Sequence, residues 1–324
     1  MFKNIEIKKG TILLFFIFLS FKNFAAEDST NVDEPIKYEE FWTSKSALGI
    51  NISEMAFVNW SAGGNNSITT LLSADFSKKY KDAYYSWDNS ISMKYGMNAQ
   101  EGQELRKTED QLEIKSTFGY RKDSLSNWYY SAKLNFNTQF SNGYAYPDTE
   151  TSISSFMAPG YAFIGIGTEY SSPDETWNLY ISPITEKSTF VLNQRMANEG
   201  MFGVTPAVRD EEGNIIEEGE KVRSQFGFLF TNNFSNEIAT NVRLSHQLSL
   251  YSDYLHQFGN VDVDWQIDLN LIVNEYVKAN IGAHLKYDDD VKHKEDTNKD
   301  GTLETFGPRL QLKQLLGVGL VYIF

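Results

Sequence analysis

"VDVDWQIDLNLIVN", Val261 to Asn274, places its apolar and polar side chains on alternate positions. Val261, Val263, Trp265, Ile267, Leu269, Leu271 and Val273 share one face, and Asp262, Asp264, Gln266, Asp268, Asn270 and Asn274 share the other; only Ile272 breaks the rule. Successive side chains leave an extended backbone on opposite sides, so a period of two describes a strand with one apolar and one hydrated face. The stretch is longer than the usual strand of ~5–6 residues and matches a tilted strand crossing a bilayer, which takes ~9–11. An apolar face turned to lipid and an aspartate face turned to a watery lumen would satisfy both halves of the pattern.

The same alternation recurs along the chain. "SWDNSISMKYGM" sets Trp87, Asn89, Ile91, Met93, Tyr95 and Met97 against Ser86, Asp88, Ser90, Ser92, Lys94 and Gly96. "KTEDQLEIKSTFGY" and "WYYSAKLNFNTQF" follow suit. About twelve strands are predicted, beginning near Leu48, Ser67, Ser86, Thr108, Trp128, Ala162, Trp177, Val222, Ile238, Val261, Val277 and Gly307, with ten or fourteen as neighbouring counts. The seventh reads least clearly, because "YISPITEKSTFVLN" carries a proline and mixes its periodicity. The expected fold is all-β: a transmembrane, antiparallel, up-and-down β-barrel. Short connections should alternate with longer ones, as periplasmic turns alternate with external loops in outer-membrane barrels. Trp87, Trp128, Tyr130, Tyr251 and Tyr322, near strand ends, suit the interfacial aromatic girdles.

Lys3, Lys8 and Lys9 precede the apolar run "TILLFFIFLSF", Thr11 to Phe21, and Ala25 and Ala26 follow it. That is the layout of a cleaved secretory signal. The expected organisation is therefore a signal peptide over 1–26, a short periplasmic lead over 27–46 and the barrel over 47–324. There is no cysteine, hence no disulfide and no lipid on a processed N-terminal cysteine. Loss of residues 1–26 removes four lysines and one glutamate, which moves the net charge from −14 to −17. So acidic a chain argues against nucleic acid as a partner.

The end of the chain, "LKQLLGVGLVYIF", aligns Leu316, Val318, Leu320, Tyr322 and Phe324 on one face. It is similar to the terminal strand of Gram-negative outer-membrane barrels, a similarity that implies the barrel-assembly machinery as a partner in biogenesis and the cell outer membrane as the location. Several motifs together resemble an uncharacterised family of secreted Bacteroidetes-type barrels, a domain of unknown function. They are "WSAGGNNS" (Trp60 to Ser67), Trp87, Tyr95-Gly96, "RKTED" (Arg106 to Asp110), Gln139-Phe140 with Gly143-Tyr144, "APGY" (Ala158 to Tyr161), Ser182-Pro183, "FGV" (Phe202 to Val204), "YDD" (Tyr287 to Asp289) and the closing strand. The resemblance extends over Phe41 to Phe324 and implies fold and location, with no activity attached.

Three groups of residues carry candidate chemistry. In "DTNKDGTLE", Asp296, Asn298 and Asp300 occupy positions 1, 3 and 5 of a calcium loop, Gly301 the turn, Thr302 position 7 and Glu304 position 9. Gly307 stands where the bidentate glutamate belongs and the flanks are strands, so the motif is not an EF-hand; a Ca²⁺ loop and a solvated acidic loop both remain open. The four histidines, His246, His256, His284 and His293, lack a serine two residues later, the pairing of outer-membrane phospholipases. His246 nonetheless falls on an apolar face, near a strand end. The lumen face carries both signs: Asp88, Lys94, Lys107, Glu109, Glu113, Lys115, Lys133, Arg223, Arg243, Asp262, Asp264, Asp268, Lys278 and Lys286. Such charges either line a pore or close one through internal ion pairs. The acidic run "RDEEGNIIEEGEK", Arg209 to Lys221, either constricts that pore or stays solvated outside it. The expected function is a non-enzymatic outer-membrane protein, porin-like or surface-exposed. A membrane-embedded hydrolase and a soluble glycan-binding β-sandwich are the alternatives.

Overall fold

The computed structural model describes residues 41–55, 65–255, 258–295 and 304–323. Twelve strands close into one barrel. They are β1 (Trp42–Met55), β2 (Ser67–Lys81), β3 (Tyr85–Gln100), β4 (Arg106–Tyr120), β5 (Trp128–Thr138) and β6 (Gly160–Ser171), followed by β7 (Trp177–Phe190), β8 (Val222–Ala239), β9 (Val242–Asp253), β10 (Asp262–Ile272), β11 (Val277–Tyr287) and β12 (Gln311–Ile323). Each strand pairs antiparallel with its neighbours in sequence, and β1 closes on β12 from Ala47↔Ile323 to Asn51↔Gly319. A closed ring leaves no strand edge unpaired. Closure replaces the β-sandwich alternative, which would keep two open sheets.

All twelve expected strands are present. Trp42 to Ser46, expected in the lead, are already strand, while the expected signal peptide lies outside the described residues. β9 starts at Val242, because Ile238 still belongs to β8 and the chain reverses over 240–241, with Asn241 at φ 62°. At one end of the barrel the connections are brief: 82–84, 121–127, 172–176, 240–241 and 273–276. Side chains fix these turns: Asp82 Oδ1 accepts from the N–H groups of Tyr84 and Tyr85, and Asn274 Oδ1 from those of Tyr276 and Val277. The other end carries 139–159, 191–221 and 288–310, although 101–105 there is no longer than a turn. β1 begins and β12 ends at the short-turn end.

The mixed periodicity of β7 has a local cause. Ile184 pairs with Ile166 and Ile181 with Thr168, so Ser182 and Pro183 both lie opposite Gly167. On the other side Thr185 pairs with Gly227 and Ser182 with Leu229. This is a β-bulge, a place where proline is tolerated because no ladder N–H is needed. It shifts the phase of the strand: Tyr180 and Ser182 point inward before it, Thr185, Lys187 and Thr189 after it, and all five are buried. The bulge also crowds its neighbour, since a Cβ on Gly167 would overlap the Ile181 carbonyl oxygen.

The outward face is apolar around the ring, with Leu48, Ile52, Ile91, Ile164, Ile166, Ile184, Leu316 and Leu320 all exposed. Trp87, Trp128, Tyr130 and Tyr322 join them, as expected of girdle residues. Tyr251 does not. It pairs with Asp262, shares the inward face of β9 with Gln247 and Ser249, and is 3% exposed. Its phase on the strand, rather than its position near the strand end, decides its side. An apolar exterior on a closed ring with a polar interior is the surface of a barrel embedded in a lipid bilayer.

Leu269, outward in β10, pairs with Leu244 and Ile281, and its neighbour Asn270 faces the lumen, where its side-chain oxygen accepts from Asn280. Leu269→Arg is expected to lose most of its folded yield, because a lipid-facing cation near the midplane costs ~2–4 kcal/mol. Asn270→Arg should fold far better. Heat-modifiable gel mobility after refolding into vesicles reads the difference, and equal yields would overturn the inside-outside assignment.

Candidate functional site: the lumen and its two mouths

Inward-facing polar residues meet across the barrel. Lys115 Nζ on β4 donates to Gln247 Oε1 on β9 at 3.3 Å, with β5 to β8 lying between them on the shorter arc. Lys313 Nζ on β12 reaches Glu109 on β4 at 2.8 Å across β1 to β3. Lys133 Nζ donates to Thr231 at 3.1 Å and lies 4.8 Å from the centre of the Tyr180 ring. Beside them Phe163, Tyr180, Leu229 and Tyr251 form an apolar cluster inside the barrel. The expected lumen row is thus largely confirmed, with one correction. A bulge at Thr108 leaves Lys107 opposite Met97 while Glu109 faces Gly96, which turns Lys107 out of the row. Lys107 pairs instead with Asp110 at 2.8 Å, whose carboxylate also accepts from the N–H groups of Phe140 and Ser141 and so ties loop 139–159 to the rim.

At the long-loop end the charges concentrate. Lys187 on β7, with its side chain only 4% exposed, bonds Asp262 on β10 at 2.7 Å and Asp288 after β11 at 3.3 Å. Arg223 at the start of β8 pairs with Asp290 at 2.9 Å, and the same nitrogen donates to the Gly203 carbonyl at 3.0 Å. Gln225 Nε2 donates to Asp290 at 3.0 Å and to Asp253 at 3.2 Å. One guanidinium therefore joins two long loops to the barrel wall. A charged group this buried persists only when it is paired and hydrogen-bonded, which these contacts supply.

Above this cluster the long loops build a cap. Ala158 from loop 139–159 packs with Val191, Met196, Ala197 and Val204, and Met201 and Phe202 lean against them. The short helix α1 (Gln194–Asn198) is capped by Asn193, whose side chain accepts from the Met196 N–H. Asn198 Oδ1 accepts from the Gly219 N–H at 2.8 Å, tucking the returning strand of the loop against the helix. Residues 211–218 of the acidic run are exposed, so that stretch is solvated.

At the short-turn end Glu175 reaches from turn 172–176 to Lys79 at 3.0 Å and to Lys81, both at the end of β2. β3, β4 and β5 lie between, so this contact spans the opening. Partial burial works against ionisation of Glu175, but hydrogen bonds from Lys81 and Lys79 outweigh it and hold the carboxyl below its ordinary range.

Of the calcium-loop candidates, Asp296, Asn298, Asp300 and Thr302 lie outside the described residues. Glu304 opens a short strand, Glu304–Pro308, that pairs with Lys292–Glu295. His246 stacks on Phe234 on the outer face, with ring centres 6.0 Å apart, while Asp268 faces the lumen and accepts from Gln266. The two cannot act as a base and its orienting carboxylate, because the barrel wall separates them. His284 does meet a carboxylate, Asp264, at 2.7 Å, and Lys286 shares that partner at 3.1 Å. Sequence reasoning missed Lys187, Gln225, Tyr251, Asp288 and Asp290 at the upper mouth. The phase shift at Pro183 hid the first, and the others are brought together only by closure.

Residues 52–144, spanning most of the first five strands, match the model of a family described as a protein of unknown function (DUF3078). No curated protein matches the sequence. Among solved structures, the chain is similar to the COG4313 outer membrane channel from Pseudomonas putida F1 with a TM-score of 0.39, at 8% identity over 90% of this chain and 100% of that one. It is similar to the NanC porin with a TM-score of 0.36, at 11% identity over 85% and 98%. For the translocator domain of the autotransporter NalP from Neisseria meningitidis the TM-score is 0.28, at 9% identity over 86% and 87%.

The strut at the short-turn end generates a pH prediction. A carboxyl held below its unfolded value adds stability that is present above the unfolded pKa, ~4.3, and is lost as pH falls through the folded value. Glu175 is largely solvated, so Glu175→Gln should cost no more than about 1 kcal/mol at neutral pH. Thermal unfolding of both proteins should show that difference shrinking as pH drops below ~4.3; a difference constant with pH would remove the ionised strut as its cause.

Proposed function

We propose that this protein is a non-enzymatic outer-membrane β-barrel of a Gram-negative cell, of the Bacteroidetes type its motifs resemble, acting as a narrow pore under a folded external cap. In this reading residues 1–26 are removed on export, the assembly machinery inserts the barrel, the short turns face the periplasm and the long loops face outside. The alternation of short and long connections supports that orientation. The observation that carries the proposal is the Lys187–Asp262 contact, a charged side-chain bridge from β7 to β10 inside the barrel at its long-loop end. A hydrated, mixed-charge interior suits passage of small polar or ionic solutes, and a bridged mouth limits it. Twelve strands lie between barrels filled by their own side chains at ~8 and open channels at ~16–18, so side chains and loops decide how wide the path is.

Removing the cap tests the reading. Val191 N–H donates to the Lys221 carbonyl at 2.7 Å, so the two ends of the long loop lie side by side and residues 192–220 can be replaced by a short glycine linker. In planar bilayers the intact protein should show small or absent conductance steps, and the loop-deleted barrel steps several-fold larger. Large, stable steps from the intact protein, or equal conductance from a deleted variant that still shows heat-modifiable mobility, would overturn the capped-pore proposal.

A further inference from the structure

The upper mouth holds more acid than the ion pairs neutralise. Asp262, Asp288 and Asp290 converge there, and among the described residues the cations bonded to these three are Lys187 and Arg223. With these five ionised, three carboxylates face two cations and the group keeps one negative charge in a half-buried setting. One carboxylate oxygen from each of Asp262, Asp288 and Asp290 lies within 4.8 Å of the other two. A small inward movement of the three side chains from that limit brings one ion to the 2.3–2.6 Å typical of calcium–oxygen bonds with all of them.

A second observation is independent of the acids. Tyr251 and Gln225, each 3% exposed, point inward on β9 and β8 among these carboxylates. Neither the Tyr251 hydroxyl nor Gln225 Oε1 has a hydrogen-bond partner among the described residues. Buried polar oxygens without a partner are rare and point to a missing one, and both are oxygens of the kind a hard cation takes. The amide of Gln225 is already fixed at the cluster through Nε2, which donates to Asp290 Oδ2.

We infer that the upper mouth is a binding site for one hard divalent cation of calcium's class, held by Asp262, Asp288 and Asp290 with Gln225 and Tyr251 as neutral oxygen donors. The donor set is all oxygen, without histidine or cysteine, which favours calcium-like ions over zinc or copper. Each oxygen of the three carboxylates already accepts one hydrogen bond: Asp262 Oδ1 from the Asp289 N–H, Asp288 Oδ1 from the Asp290 N–H, Asp290 Oδ2 from Gln225, and the rest from Lys187 and Arg223. Each carboxylate oxygen offers more than one acceptor direction. The three side chains are 20–24% exposed, so an ion can enter from the mouth. Bound there, it would fasten the root of loop 288–310 to β8, β9 and β10. None of the five ligand residues belongs to the Asp296 to Glu304 motif.

Calorimetric titration of the folded, full-length protein in detergent with calcium chloride tests the site, with heat-modifiable mobility as the criterion of folding. The intact protein should bind one Ca²⁺ at millimolar concentration or below. Asp288→Asn with Asp290→Asn should weaken binding at least about ten-fold, the loss of two charged ligands of three. Asp296→Asn with Asp300→Asn should leave it unchanged. Should the first pair fail to fold, terbium emission sensitised by tyrosine and displaced by calcium is read in the intact protein and in Tyr251→Phe, where the signal should fall. Absence of binding at millimolar calcium, loss of binding only in the Asp296 and Asp300 variant, or terbium emission unchanged in Tyr251→Phe would overturn the inference. None of these readings depends on conductance, so they stand apart from the capped-pore proposal.

Discussion

Everything in this molecule depends on the pairing of β1 with β12. In hydrocarbon no water is present to accept or donate, so each backbone N–H and C=O of a spanning segment must find its partner on a neighbouring strand. Eleven hairpin pairings leave two edges, and only the contact from Ala47↔Ile323 to Asn51↔Gly319 removes them. Closeness matters there: a Cβ on Gly319 would collide with the side-chain amide of Asn51. Once the ring is closed, the two faces of each strand cease to be local properties and become the outside and inside of one object.

The irregularities of the barrel have physical work at its upper rim. The bulge at Ser182-Pro183 turns Lys187 inward, where it meets Asp262. Without that phase shift Lys187 would point at lipid, an arrangement that costs several kcal/mol for a lysine near the midplane and less toward the interface. The bulge at Thr108 has the opposite consequence, moving Lys107 out of the lumen row to serve Asp110 and loop 139–159. In both strands one extra residue changes which environment a cation enters, and each cation then fixes a loop.

The interior is a mixture of bridges and packing. Lys115 with Gln247, Lys313 with Glu109 and Lys187 with Asp262 each span several strands, and Phe163, Tyr180, Leu229 and Tyr251 fill the wall between β6 and β9. The cap repeats the logic on a small scale, with five buried apolar side chains enough to hold α1 over the charged mouth. Loops of this length usually earn their order from packing or function, and here Arg223 links that packing to the barrel wall through Gly203 and Asp290.

By itself the sequence determined the presence of most strands and which face of each is apolar, because a period of two is written into consecutive residues, while the closed ring fixed their number at twelve. Where the period held, as in "VDVDWQIDLNLIVN", the inside and outside were legible residue by residue. Where one residue was inserted, at Thr108 and at Ser182-Pro183, the reading failed for Lys107 and blurred for Lys187, since a bulge shows only in the partner strand's register. Tyr251 was misplaced because its type suited a girdle while its phase pointed inward. Only the tertiary structure decided that Lys187, Arg223, Gln225, Tyr251, Asp253, Asp262, Asp288 and Asp290 share one mouth. They come from five separate stretches of chain that only the barrel's curvature and its loops bring within a few ångströms, and no local pattern encodes a distance of that kind.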